Sequence, residues 1–121
     1  EVTLSYHPDE EPIMVWADEY MIEEVVSNYV SNALNHVKYE NKIEIKTIRK
    51  GDHVCTSVFN TGDPIPEEDM DKIWSKFYKV DNGIGLSIVK AVMDAHNQKF
   101  GVKNYDNGVE FWFELDVKSV D

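Results

Sequence analysis

Between residues 18 and 36, Ile22, Val25, Val26, Tyr29, Val30 and Ala33 recur at helical spacing, and this run constrains the fold more than any other. It predicts a long amphipathic helix whose apolar stripe must be covered by another layer. Asp18 is placed to cap its N-terminus, and Glu19 with the Glu23-Glu24 pair lies early in the helix, as helix starts favour. Around this helix the periodicity changes to two. Residues 2–6 and 13–16 read as short extended stretches separated by the polar turn His7-Pro8-Asp9-Glu10-Glu11-Pro12. Ile43-Glu44-Ile45-Lys46-Thr47 alternates, residues 54–59 do the same, and Lys50-Gly51-Asp52 between them predicts a hairpin.

The second half repeats the mixture. Pro66 and Glu67-Glu68 are expected to open a short helix with Met70, Ile73, Trp74 and Phe77 on one side. A third helix is expected over residues 84–96, with Ile88, Val89 and Val92 inward. Residues 100–103 and 109–117 read as closing strands joined by the turn Asp106-Asn107-Gly108. The pattern is that of an α+β two-layer sandwich: a mixed, mostly antiparallel sheet of about five strands on three helices. With no internal repeat, low-complexity tract or linker, all 121 residues read as one domain.

Charge narrows the partners. Acidic residues number 23 against 12 basic ones, a net charge of −11, so nucleic acid is a poor reading, since a duplex-binding surface needs Lys and Arg to displace counterions. A polyphosphate would have to be held locally, by backbone N–H groups, a cation or a few basic side chains. The single cysteine, Cys55, rules out an internal disulfide or a multi-cysteine metal site and reads as an inert thiol in a strand. No apolar run approaches the roughly 20 residues of a membrane span, and Glu1 opens a β-like stretch rather than a signal peptide.

The long helix carries an oddity. Asn28, Asn32 and Asn35 fall within a sector of about 60° at 100° per residue, with His36 at its edge. Asparagine is a mediocre helix former. Such a stripe is either a plain solvated face or a ligand site. An amide oxygen is a neutral, hard donor that suits Mg²⁺, which shares its shell between a few protein oxygens, phosphates and water.

The residues Asn28-Tyr29-Val30-Ser31-Asn32-Ala33-Leu34-Asn35-His36 resemble the N box of sensor histidine kinases, within the group that includes gyrase-type and Hsp90-type ATPases. Three further boxes follow in the family's order. Residues 58–66, Val-Phe-Asn-Thr-Gly-Asp-Pro-Ile-Pro, resemble the G1 box, with Asn60 where the family has the adenine-reading Asp and Pro64 in place of a glycine. Residues 73–81 resemble the F box; Trp74 and Phe77 read as core by themselves, and Lys79 is a phosphate-contact candidate. Residues 83–90, Gly-Ile-Gly-Leu-Ser-Ile-Val-Lys, resemble the G2 box, a glycine pair opening a helix whose free N–H groups suit phosphate. Gly108 and the strand after it resemble the last glycine motif, with Val109 where a hydroxyl residue is usual.

The resemblance implies a Bergerat-type ATP-binding fold and nucleotide contacts at Asn28, Asn32, Asn35, His36, Asn60, Gly62, Ile65, Lys79, Gly83, Gly85 and Leu86. It implies Mg²⁺ on Asn32 with support from Asn28. Many relatives carry Lys at the position of Asn35. Hydrolytic relatives place a Glu at the position of Asn28, and an amide cannot accept a proton at neutral pH. That favours transfer of the γ-phosphate of ATP to a partner over hydrolysis. The implied partners are a histidine-bearing dimerisation domain of the same kinase and, indirectly, a response regulator. The implied setting is a cytoplasmic domain of a membrane-anchored sensor kinase, monomeric when isolated. No histidine here has the phosphoacceptor pattern of a His followed by Glu or Asp and later Pro on a helix, since His7 precedes Pro8 in a loop and His36, His53 and His96 lack that context. Two other functions stay open: a serine kinase of the anti-sigma-factor kind, and a degenerate interaction module, for which Asn60, Pro64 and Asn35 speak. Relatives carry a long mobile lid between the F and G2 boxes, whereas Asp81-Asn82-Gly83 joins them almost directly. Either the lid was lost or its residues are missing between Asp81 and Asn82, and the mobility of lids favours the second.

Overall fold

The computed structural model describes residues 2–8, 13–75 and 85–118. Strand β1 (Thr3–His7) leads to helix α1 (Glu19–His36), the hairpin of β2 (Lys42–Lys50) and β3 (His53–Thr61), two single turns of 3₁₀ helix at Glu67–Asp69 and Lys72–Trp74, helix α2 (Gly85–Ala95), and the hairpin of β4 (Phe100–Tyr105) and β5 (Gly108–Asp116). The strands form one sheet in the order β1-β2-β3-β5-β4. β1 runs parallel to β2, with α1 as the crossover such a pair requires, and the other neighbours are antiparallel.

Helix α1 starts where the sequence places it. Asp18 Oδ1 accepts the Met21 N–H at 3.1 Å, and the Ile22 N–H bonds the Asp18 carbonyl at 3.0 Å. The Asp18 N–H in turn donates to His96 Nε2 at 3.0 Å, while His96 Nδ1 lies 2.9 Å from the Val92 carbonyl. Nε2 must therefore be the acceptor and Nδ1 the donor, and this neutral ring ties the start of α1 to the end of α2.

Val25, Tyr29 and Ala33 form the buried stripe of α1, and Val89, Val92 and Met93 that of α2. They close on Val58 of β3 and on Val109, Phe111, Phe113 and Leu115, the alternate residues of β5 that face the helices. Tyr29 is fully buried among Phe111 and Phe113, and its hydroxyl donates to the Trp112 carbonyl at 3.0 Å. Burial holds its phenol far above the ordinary range, so it stays a donor.

Two expectations are corrected. The described residues hold two α-helices rather than three, because the segment after Pro66 makes only separate 3₁₀ turns. Glu67, Glu68, Asp69 and Asp71 crowd it, and so short a run does not repay the nucleation of an α-helix. Ile73 still reaches the core, and Trp74 packs edge-on to Phe100 and Phe111; Phe77 lies outside the described residues. Residues 13–16 are likewise no strand of the sheet. They meet the end of β5 through the single bridge Val15–Val117, with the Trp16 N–H bonded to the Asp116 carbonyl.

Candidate functional site

A pocket of about 210 Å³ opens between the second half of α1, the loop after β3 and the first turn of α2. Asn32, His36 and Lys38 line it from the α1 side, Asn60 and Asp63 from β3 and its loop, and Leu86 from α2. Ile73, Val109 and Phe111 supply apolar floor, and Pro64, Ile65 and Pro66 form one wall. An apolar slot with a few convergent polar groups is the ordinary form of a small-ligand site.

Asn60 is the central polar group. It sits on the helix-facing side of β3, opposite Ile43 on one neighbour and Val109 on the other, and is 2% exposed. Its Nδ2 donates to the Thr61 carbonyl at 3.1 Å. Oδ1 accepts from none of the described residues, so the side chain offers the pocket an acceptor.

Gly62 shows why the loop can lie so close to α1. Its φ is +152°, and a Cβ there would stand 2.7 Å from the His36 carbonyl oxygen and 3.3 Å from Asn60 Nδ2. The Lys38 N–H bonds the Thr61 carbonyl, and the Gly62 N–H bonds the Asn107 carbonyl. On the rim, Asp63 takes hydrogen bonds from the Tyr39 hydroxyl and from Lys38 Nζ at 3.2 Å. These bonds, the tyrosine's first, hold the Asp63 carboxyl below its usual range, and the same bond pushes the Tyr39 phenol up.

At the far end, Asn28 meets the first residue of α2. Its Nδ2 donates to the Glu24 carbonyl one turn back at 2.8 Å, which fixes the amide. Oδ1 then lies over Gly85, where a Cβ would approach it to 2.8 Å. An amide oxygen thus stands against a helix N-terminus, with Asn32 one turn further along the same face. Among the described residues no three His, Cys, Asp or Glu side chains gather into a metal-binding group. A cation here would be held by amide oxygens and by the phosphates it accompanies, and this donor set fits Mg²⁺.

Of the residues singled out in the sequence, Asn32, His36, Asn60, Ile65 and Leu86 line the pocket, Gly62 shapes its loop, and Asn28 meets Gly85 beside it. Asn35 is exposed and does not line the pocket. Lys79, Gly83 and the expected lid between Asp81 and Asn82 lie outside the described residues. Sequence reasoning missed Lys38, Asp63, Pro66, Phe111 and the floor residues Ile73 and Val109 as pocket lining. It also missed Asn104, which reaches from β4 to Ile65. Asp63, Pro66, Ile73 and Val109 lie within or beside the quoted boxes but carry no motif role, and Lys38, Asn104 and Phe111 carry no local signal; the tertiary fold brings all of them to the site or its wall.

The five-stranded mixed sheet with its two helices is the fold of an ATP-binding domain. The chain belongs to the histidine kinase-, DNA gyrase B- and HSP90-like ATPases, whose family model matches residues 17–119. Within that family it resembles sensor kinases. The catalytic domain of the histidine kinase ThkA, in a nucleotide-free form, superposes with a TM-score of 0.87 at 38% identity, over 95% of this chain and 80% of that one. ThkA in complex with the response regulator protein TrrA matches at 36% identity with a TM-score of 0.84, over 97% of this chain and 34% of that one. The sensor protein CzcS of Cupriavidus metallidurans is 32% identical over 89 residues, 66% of this chain and 19% of CzcS. The chain therefore corresponds to a small part of such curated relatives. Among the described residues no helix is long and apolar enough to cross a membrane.

Proposed function

We propose that this domain binds ATP·Mg²⁺ in the pocket and presents the γ-phosphate to a histidine on a separate dimerisation domain, as the catalytic part of a two-component sensor kinase. The observation that carries this reading is the placement of Asn28: its oxygen is fixed by the bond to Glu24 and set against the N-terminus of α2 at Gly85. The base would then lie at the Asn60 end, where Oδ1 can accept an amino hydrogen, and the phosphates near Asn28 and Asn32 at the start of α2. Bound Mg²⁺ would neutralise charge on the phosphates and orient them. Asn28 and Asn32 would hold that ion. His36 and Ile65 would flank the base and ribose.

An amide at position 28 cannot take a proton from water, so the site favours transfer to a partner over hydrolysis. The likeness to ThkA, solved with a response regulator, supports such a regulator as the next acceptor after the histidine. ATP as the substrate and the likeness to sensor proteins such as CzcS support a cytoplasmic domain of a membrane-anchored sensor.

The test is calorimetric titration with ATP and ADP, with and without Mg²⁺, on the chain and on Asn32→Ala, followed by mixing with the kinase's own histidine-bearing domain. Binding that weakens without Mg²⁺ and in the variant, with label transferred to the histidine, is expected. No binding at millimolar nucleotide would overturn the reading in favour of an interaction module.

A further inference from the structure

The pocket wall formed by Pro64, Ile65 and Pro66 belongs to no helix or strand. Proline has no backbone N–H, so Ile65 carries the one donor of this tripeptide. That donor and the Ile65 carbonyl both go to a single side chain. Asn104 Oδ1 accepts the Ile65 N–H at 2.9 Å, and Asn104 Nδ2 donates to the Ile65 carbonyl at 2.8 Å. Nδ2 also lies 3.7 Å from Met70 Sδ, between the two 3₁₀ turns, so both of its hydrogens have acceptors.

We propose that Asn104 is a positioning residue for nucleotide recognition. Resting on the nucleotide reading above, it assigns to β4 a part in the site although Asn104 does not line the pocket. Its amide gives Ile65 the pair of hydrogen bonds that a neighbouring strand would give. Asn104 stands opposite Val109, a floor residue, so the clamp ties wall to floor. The wall is thereby formed before the ligand arrives, and its ordering is not charged against binding. The side-chain type matters. A carboxylate would keep the acceptor but face the Ile65 carbonyl with a second oxygen, and a hydroxyl could not span both groups.

The test compares the unsubstituted chain with Asn104→Ala and Asn104→Asp. Three quantities are read: hydrogen exchange of the Ile65 amide by NMR, affinity for ATP·Mg²⁺ and for adenosine by NMR titration, and the thermal midpoint without ligand. Both variants are expected to speed Ile65 exchange and to weaken ATP and adenosine alike by about tenfold, roughly 1.4 kcal/mol. Asn32→Ala is expected to weaken ATP·Mg²⁺ more than adenosine, because it acts toward the phosphate end. Asn104→Asp keeps the side chain's shape and serves if the alanine variant does not fold. Folded variants with unchanged adenosine affinity, or with unchanged Ile65 exchange, would overturn the proposal. Loss of ATP binding alone would overturn it too. If the unsubstituted chain bound neither ligand, the functional reading would fall and this proposal with it; that outcome is read on the unsubstituted chain alone and is distinct from a failure seen only in the Asn104 variants.

Discussion

Gly85 is glycine because an oxygen occupies the place of its side chain. A Cβ would stand 2.8 Å from Asn28 Oδ1, and Asn28 cannot turn away without giving up its bond to the Glu24 carbonyl. Alanine raises helix propensity over glycine by up to about 1 kcal/mol. At the first residue of α2 only part of that gain applies and the lost Asn28 bond offsets it, so Gly85→Ala is expected to change the thermal midpoint little, while affinity for ATP·Mg²⁺ falls at least about tenfold, the equivalent of 1.4 kcal/mol. Melting and titration on the same variant separate the two effects, and an unchanged affinity would show that the oxygen is not needed there. The asparagines and glycines of such a site are legible in a sequence because each is costly in its local setting and so calls for a reason. Lys38 and Asn104 were not legible. A lysine after a helix and an asparagine in a strand are unremarkable locally, and only the neighbours reveal what they hold.

Among the elements, α1 depends most visibly on its ends. Asp18 caps it through Met21, and its own N–H is held by His96. Asp18→Ala is expected to lower unfolding free energy by about 1 kcal/mol, the usual worth of an N-cap. Nucleotide affinity should not change, because Asn28, Asn32 and His36 lie in later turns of the helix; denaturant titration beside calorimetry checks both halves. The helix and both hairpins were legible because each has a sustained period and a defined stop. The segment after Pro66 was not. Met70, Ile73 and Trp74 have helical spacing, but spacing cannot tell one α-helix from two 3₁₀ turns in so short a stretch. Residues 13–16 have strand character, yet the edge beside β2 is taken by β1, and they find only the end of β5.

At the scale of the whole molecule, a net charge of −11 sets the terms on which a polyphosphate is admitted. Without a cation, protein and nucleotide repel, and dissolved salt screens that repulsion. Affinity for ATP in the presence of a chelator is therefore expected to rise with ionic strength, whereas affinity for ATP·Mg²⁺ should change less; calorimetry at two salt concentrations decides. A metal-free affinity that falls with salt would mean that local positive groups outweigh the global charge. The sequence by itself determined the layers, the long helix and the hairpins, and it singled out the asparagines and glycines around the pocket, because periodicity, turn chemistry and unusual side chains are written locally. Only the tertiary structure decided that β1 pairs parallel to β2, that Asn28 faces Gly85, and that Asn104 grips the Pro64–Pro66 wall from across the sheet. Those contacts join residues far apart in the chain, and their geometry follows from how the layers close on one another.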